Sequence, residues 1–180
     1  MEVILCIVII IFLGFIIEYN ICTSLKNKVK QAESSIDVFL NQRFDLIPNL
    51  VETVKGYANH ENETLSKVIE ARGNAISASP QDKSKCEGDL SNALSKLLMI
   101  SESYPDLKAD TQFINLQNQL QNIESEIEKS RRYYNGVVKE FNTSIKKVPT
   151  CIIASLFKFK EEPFFEIENK DERENVKVQF

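Results

Sequence analysis

Phe113, Leu116, Leu120, Ile123, Ile127, Ser130, Tyr134, Val137 and Phe141 follow one another in alternating steps of three and four, and only Ser130 among them is polar. A helix turns once every 3.6 residues, so this spacing lays all of them on one face, which must be buried against other helices. The stripe predicts one long helix over 105–147. Pro105 suits its first turn and Pro149 stops it. A charge at Ile123 is expected to unfold the domain, whereas Glu124→Asp next door is expected to be mild.

The same period runs upstream. Cys22, Leu25, Val29, Ala32, Ile36 and Phe39 with Leu40 predict a helix over 22–43. Asp45, three residues before Pro48, reads as an N-cap, so a break is expected around Arg43 to Leu46. The next helix, over 46–78, keeps Leu50, Val54, Tyr57, Leu65, Val68 and Ile69 on one side, and the stretch SASPQD turns the chain at Pro80. A helix over 81–102 follows, with Leu90, Leu94, Leu97 and Leu98 inward. Four helices with short connections predict an all-α, up-and-down four-helix bundle over 22–149. Residues 150–180 are expected to add a short helix and an extended tail packed on the bundle. In that tail Phe165 and Ile167, then Val176, Val178 and Phe180, alternate with polar residues in the period of half-buried strands.

Ahead of the bundle, Val3 to Ile17 is an unbroken apolar run of fifteen residues, roughly 22 Å of helix. This is short for a bilayer, but Met1, Tyr19 and Ile21 lengthen it if Glu18 reaches the headgroups. A cleaved signal peptide would carry a basic start and a small-residue cleavage site, and neither is seen. Residues 1–21 therefore read as a signal-anchor, a single transmembrane helix. Lys26, Lys28 and Lys30 follow it and no basic residue precedes it, so the helical domain is expected in the cytoplasm and the short N-terminus outside.

Charge and composition exclude several chemistries. A net charge of -4 offers no basic field for nucleic acid. Cys6, Cys22, Cys86 and Cys151 show no metal-ligand or disulfide spacing, and read as reduced thiols. A di-iron bundle needs Glu-x-x-His on two helices, but His60 is the one histidine and Tyr57 stands in the glutamate's place. The glycines are too dispersed to cradle phosphate, and no strained turn presents a nucleophile. No metal, cofactor or catalytic residue is expected, so the chain reads as a non-enzyme.

Three blocks carry a family resemblance: Gln42 to Arg72 (QRFDLIPNLVETVKGYANHENETLSKVIEAR), Ser103 to Asn142 (SYPDLKADTQFINLQNQLQNIESEIEKSRRYYNGVVKEFN) and the ending PFFEIENKDERENVKVQF. They resemble the signature segments of the LemA proteins, small membrane-anchored bacterial proteins of poorly known function. The chain departs from that pattern where a tryptophan of the first helix is replaced by Glu33 or Ser34, and where Val148 replaces a phenylalanine. The resemblance implies a helical bundle behind an N-terminal span at the bacterial inner membrane, with a short N-terminus outside, and implies no established reaction.

Two polar clusters are candidate partner surfaces: Arg43 with Asp45 at the expected helix junction, and Arg131, Arg132, Tyr133, Tyr134 and Asn135 on the last long helix. Their structural readings are a capped or bridged helix end, and a close helix approach at Asn135-Gly136. The function expected is a membrane-tethered interaction or scaffold protein with an unidentified protein partner. The alternative is a small-ligand or peptide-binding module sensing envelope state.

Overall fold

The computed structural model describes residues 1–79 and 82–165. Among them the chain is all-helical: α1 (Glu2–Tyr57), α2 (Asn62–Ser77), α3 (Lys83–Ile100), a 3-10 turn (Ser101–Ser103), α4 (Pro105–Ala109), α5 (Thr111–Ser144) and α6 (Thr150–Leu156), with no β-strand. The helix boundaries differ from the four expected over 22–43, 46–78, 81–102 and 105–147. The expected strands of the tail fall at 165–180, almost wholly outside the described residues. Two compact units form, one from Met1–Val38 with Ile127–Phe165, the other, of the described residues, from Phe39–Glu126.

In the second unit the expected break at Arg43 to Leu46 is absent, and α1 runs straight through Pro48. A proline inside a helix has no N–H for the carbonyl four residues back, which here is Phe44. Arg72 of α2 supplies the missing donor, its Nε lying 2.7 Å from the Phe44 oxygen. With that carbonyl satisfied, Leu46, Ile47, Leu50, Val51 and Val54 stay buried on either side of the proline and hold the helix together.

The chain turns instead at Ala58 to Glu61, inside the segment expected as helix, so His60 sits exposed in a turn and not within a helix. The turn is fixed from outside. Tyr57 Oη donates to Asp110 Oδ2 at 3.0 Å, and Tyr104 Oη donates to Glu61 Oε1 at 3.3 Å. Tyr57 is 43% exposed and Ile69 of α2 57% exposed, both off the inner face assigned to them.

The helix expected over 105–147 is also interrupted. Pro105 opens α4, as a first-turn proline should, but α4 ends at Ala109. Asp110 then caps α5, its Oδ1 accepting the Phe113 N–H at 2.7 Å. The backbone bond to Phe113, with the Tyr57 hydroxyl second, holds the Asp110 carboxyl below the usual carboxylate range. Along α5 the stripe is buried from Phe113 to Phe141 except at Ile123 and Ser130, which are half-buried.

In the first unit Cys22, Leu25, Val29, Ala32 and Ile36 of α1 are buried together with Tyr134, Val137, Val138 and Phe141 of α5 and Ile153 and Ala154 of α6. From Val3 to Ile17, by contrast, every large apolar side chain of α1 is exposed. A helix this apolar and uncovered is long enough to cross a membrane. Glu18, at the end of the run, accepts a hydrogen bond from Thr150 Oγ1 at 2.7 Å.

Candidate functional site

Beyond α6 the chain runs as an extended strap along α5. Asn142 grips Glu162: its Nδ2 donates to the Glu162 carbonyl at 2.8 Å and its Oδ1 accepts the Glu162 N–H at 2.9 Å. Asn135 repeats the pattern on Phe165, donating at 3.0 Å and accepting at 2.8 Å. A primary amide used this way imitates a neighbouring strand, offering one donor and one acceptor to one residue's main chain.

The spacing explains why both grips form. Asn135 and Asn142 lie seven positions apart on the helix, about 10.5 Å of rise, and Glu162 to Phe165 is three extended residues, about 10 Å. Pro163 falls between them, where no N–H is used, and its carbonyl accepts from Tyr134 Oη at 3.0 Å. Arg131 stacks over the Phe165 ring, 4.4 Å from its centroid. Lys26 of α1 pairs with the Glu162 carboxylate at 2.6 Å. Burial, then the charges of Glu33 and Glu162, push the Tyr134 phenol above its ordinary pKa.

The second cluster lies in the other unit. Arg43 is 1% exposed, and its Nη1 reaches Glu124 Oε1 at 3.1 Å and Ser91 Oγ at 3.3 Å. Its Nε and Nη2 are buried without a hydrogen-bond partner among the described residues. Asp45 takes no part: it is exposed and mid-helix, so it is neither cap nor bridge.

Of the residues singled out from sequence, Arg43 is thus interior, and Arg131, Tyr134 and Asn135 hold the strap. Arg132 and Tyr133 face outward, Arg132 paired with Glu128 and Tyr133 60% exposed. The close helix approach expected at Gly136 does not occur, since a Cβ there would meet nothing within 4 Å. Asn142, Ser91 and Glu124 were not singled out. Asn142 repeats Asn135 one heptad on, a signal that was present, whereas nothing marks Glu124 as the partner of a residue 81 positions away. Among the described residues no group of His, Cys, Asp and Glu is placed to hold a metal ion. The cysteines are free thiols, with Cys22 buried, Cys86 and Cys151 half-buried, and Cys6 exposed on the apolar run.

An apolar, uncovered N-terminal helix leading into packed helices defines a membrane-associated, all-helical protein. Residues 32–180 match the model of the LemA family, and the chain belongs to that family. It is 28% identical over 131 residues to Protein LemA of Metamycoplasma hominis, covering 72% of this chain and 60% of that one. It is 22% identical over 177 residues to Magnetosome protein MamQ of Magnetospirillum gryphiswaldense, covering 83% of this chain and 65% of that one. Magnetosome protein MamQ 2 of Paramagnetospirillum magneticum is similar at 21% over 178 residues, with coverages of 84% and 65%. The chain spans less than two thirds of the length of these relatives.

Proposed function

We propose that this protein is a membrane-tethered interaction protein that works by binding and not by catalysis. α1 carries the apolar run and the first buried face on one continuous helix, so the anchor and the helical surface share a single element. Confining such a surface to a membrane raises its effective concentration toward other membrane components. The outward residues Arg132 and Tyr133 are of the types that anchor interfaces, and form the surface on which a partner would dock. Lys26, Lys28 and Lys30 after the span support an orientation with the helices in the cytoplasm and the N-terminus across a bacterial inner membrane.

The observation that carries this reading is the exposed Tyr133 beside an uncovered Gly136 on the rim of α5. Affinity purification of the detergent-solubilised full chain should yield a stoichiometric protein partner that is lost with Arg132→Ala and Tyr133→Ala. Recovery of the chain alone from native membranes, or a partner indifferent to both substitutions, sinks the assignment. Labelling of Cys86 from the outside of intact cells would overturn the orientation.

A second reading, a peptide-binding module, draws on one feature. The Asn135 and Asn142 grips touch only main chain at Glu162 and Phe165, a mode suited to any extended segment. Co-purification of a peptide that displaces residues 162–165 would favour it over the first.

A further inference from the structure

We propose that residues 146–160, centred on α6, lie in the membrane interface beside the span, with an apolar face in the lipid and lysines among anionic headgroups. The proposal rests on reading the apolar run of α1 as a span. Ile152 and Leu156 lie four residues apart on one face of α6 and are 55% and 64% exposed, with Phe157 alongside at 53% and Val148, in the turn before the helix, at 82%. The opposite face is also mostly apolar, with Ile153 and Ala154 buried. Water penalises a helix that is apolar on both sides, so a second apolar medium must meet the outer one.

Position along α1 identifies that medium. Thr150 is bonded to Glu18, and the Phe157 ring packs on Tyr19 with centroids 4.6 Å apart, so α6 lies level with the end of the run. An open groove of about 400 Å³ joins Ile152 to Ile11 and Ile17, and another of about 460 Å³ joins Leu156 to Val8 and Phe15. The outer face of α6 is therefore continuous with the exposed surface of the span. Lipid that solvates one solvates the other, and the grooves between them suit acyl chains.

Charge completes the fit. Lys146 and Lys147 precede α6, Lys158 and Lys160 follow it, and all are exposed. Lys146 pairs with Glu161 at 2.8 Å, whereas Lys147, Lys158 and Lys160 make no ion pair among the described residues. Lys158 also occupies a left-handed position, φ 57°, at the C-terminus of α6, where Phe159 N–H reaches Ala154 O at 2.9 Å. That geometry favours glycine, so backbone preference alone does not account for a lysine there. Flexible lysine stems reach headgroups while apolar neighbours enter the acyl boundary.

The sequence contains no tryptophan, so a single introduced one reports alone. Full-length Ile152→Trp and Leu156→Trp, reconstituted in phosphatidylcholine vesicles, should emit at short wavelength, be quenched by brominated acyl chains and be shielded from acrylamide. Tyr133→Trp should behave oppositely. Adding phosphatidylglycerol should deepen the brominated-lipid quenching, and combined Lys147→Glu, Lys158→Glu and Lys160→Glu should remove that increase. Acrylamide access at both positions in protein that floats with the vesicles overturns the placement of α6 and leaves the span standing. Failure to float at all overturns both. Retained depth with indifference to phosphatidylglycerol overturns the headgroup contact.

Discussion

Arg72 serves the carbonyl of Phe44, the one oxygen in α1 that Pro48 leaves without its helical donor. Arg72→Leu should therefore destabilise the protein by about 1.5–3 kcal/mol, the range for a hydrogen bond made by a charged group. In a Pro48→Ala background the backbone N–H returns, and the same substitution should cost less than about 1 kcal/mol. Denaturant melts of the four proteins form the cycle. Equal costs in both backgrounds would show that Arg72 acts elsewhere.

Glu124 is the carboxylate of a buried arginine, so removing it is a different matter from the charge-keeping Glu124→Asp. Glu124→Ala should cost about 2–3 kcal/mol, below the full range for a broken buried pair because the carboxylate is 38% exposed. Arg43→Met in that background should recover most of the loss, since an apolar side chain there leaves no stranded charge. A double substitution no more stable than Glu124→Ala alone would contradict this.

The Tyr57 and Asp110 pair gives stability a dependence on pH at both ends. The Asp110 carboxyl is held below its ordinary value of 3.8, so its contribution is present above that value and is lost as pH falls through the folded pKa. The Tyr57 phenol is raised above 10.0, first by its hydrogen bond to Asp110 and then by that residue's charge. Its contribution is present below 10.0 and is lost as pH rises through the folded pKa. Tyr57→Phe should flatten the alkaline limb of the stability profile. An unchanged alkaline limb would place the effect on Tyr104 or Tyr134, whose phenols are also raised.

Gly136→Ala should stabilise the purified chain by about 1 kcal/mol, or roughly 2–4 °C in Tm, because the position is helical and a Cβ meets nothing there. The same substitution should weaken partner capture if the surface beside Tyr133 is the docking face. A lower Tm would mean that this face is covered in the isolated protein.

Asn142→Ala should release the strap, at a cost of about 1–3 kcal/mol, since Asn142 is 7% exposed and both its bonds are to main chain. Trypsin cleavage after Lys160 reports the release. Asn142→Asp keeps the acceptor and loses the donor, so it should fall between the two. Unaltered cleavage in Asn142→Ala would show that Lys26 and Arg131 hold the strap without the amide.

Periodicity was legible because burial obeys it: Cys22, Leu25, Val29, Ala32, Ile36 and Leu40 are all buried as their spacing required. Breaks were misread because a local rule yielded to a distant residue. Pro48 should end a helix, and Arg72 cancels that; Ala58 to Glu61 look helical, and Asp110 and Tyr104 pin them as a turn. The site was half legible. Arg43 and Asn135 stood out as members of two polar clusters, but their roles depend on Glu124 and on the strap, which no local pattern announces.

The grip on the strap has a consequence for how this stretch can change over time. Side chains at 161–164 can drift freely with respect to Asn135 and Asn142, because those amides consult only backbone atoms. Length is another matter. One inserted residue between Glu162 and Phe165 adds about 3.3 Å of extended chain against a fixed helical rise, and both grips cannot then close together. The segment is a ruler whose length the two amides fix, and whose markings are read by other residues, Lys26 at Glu162 and Lys146 at Glu161.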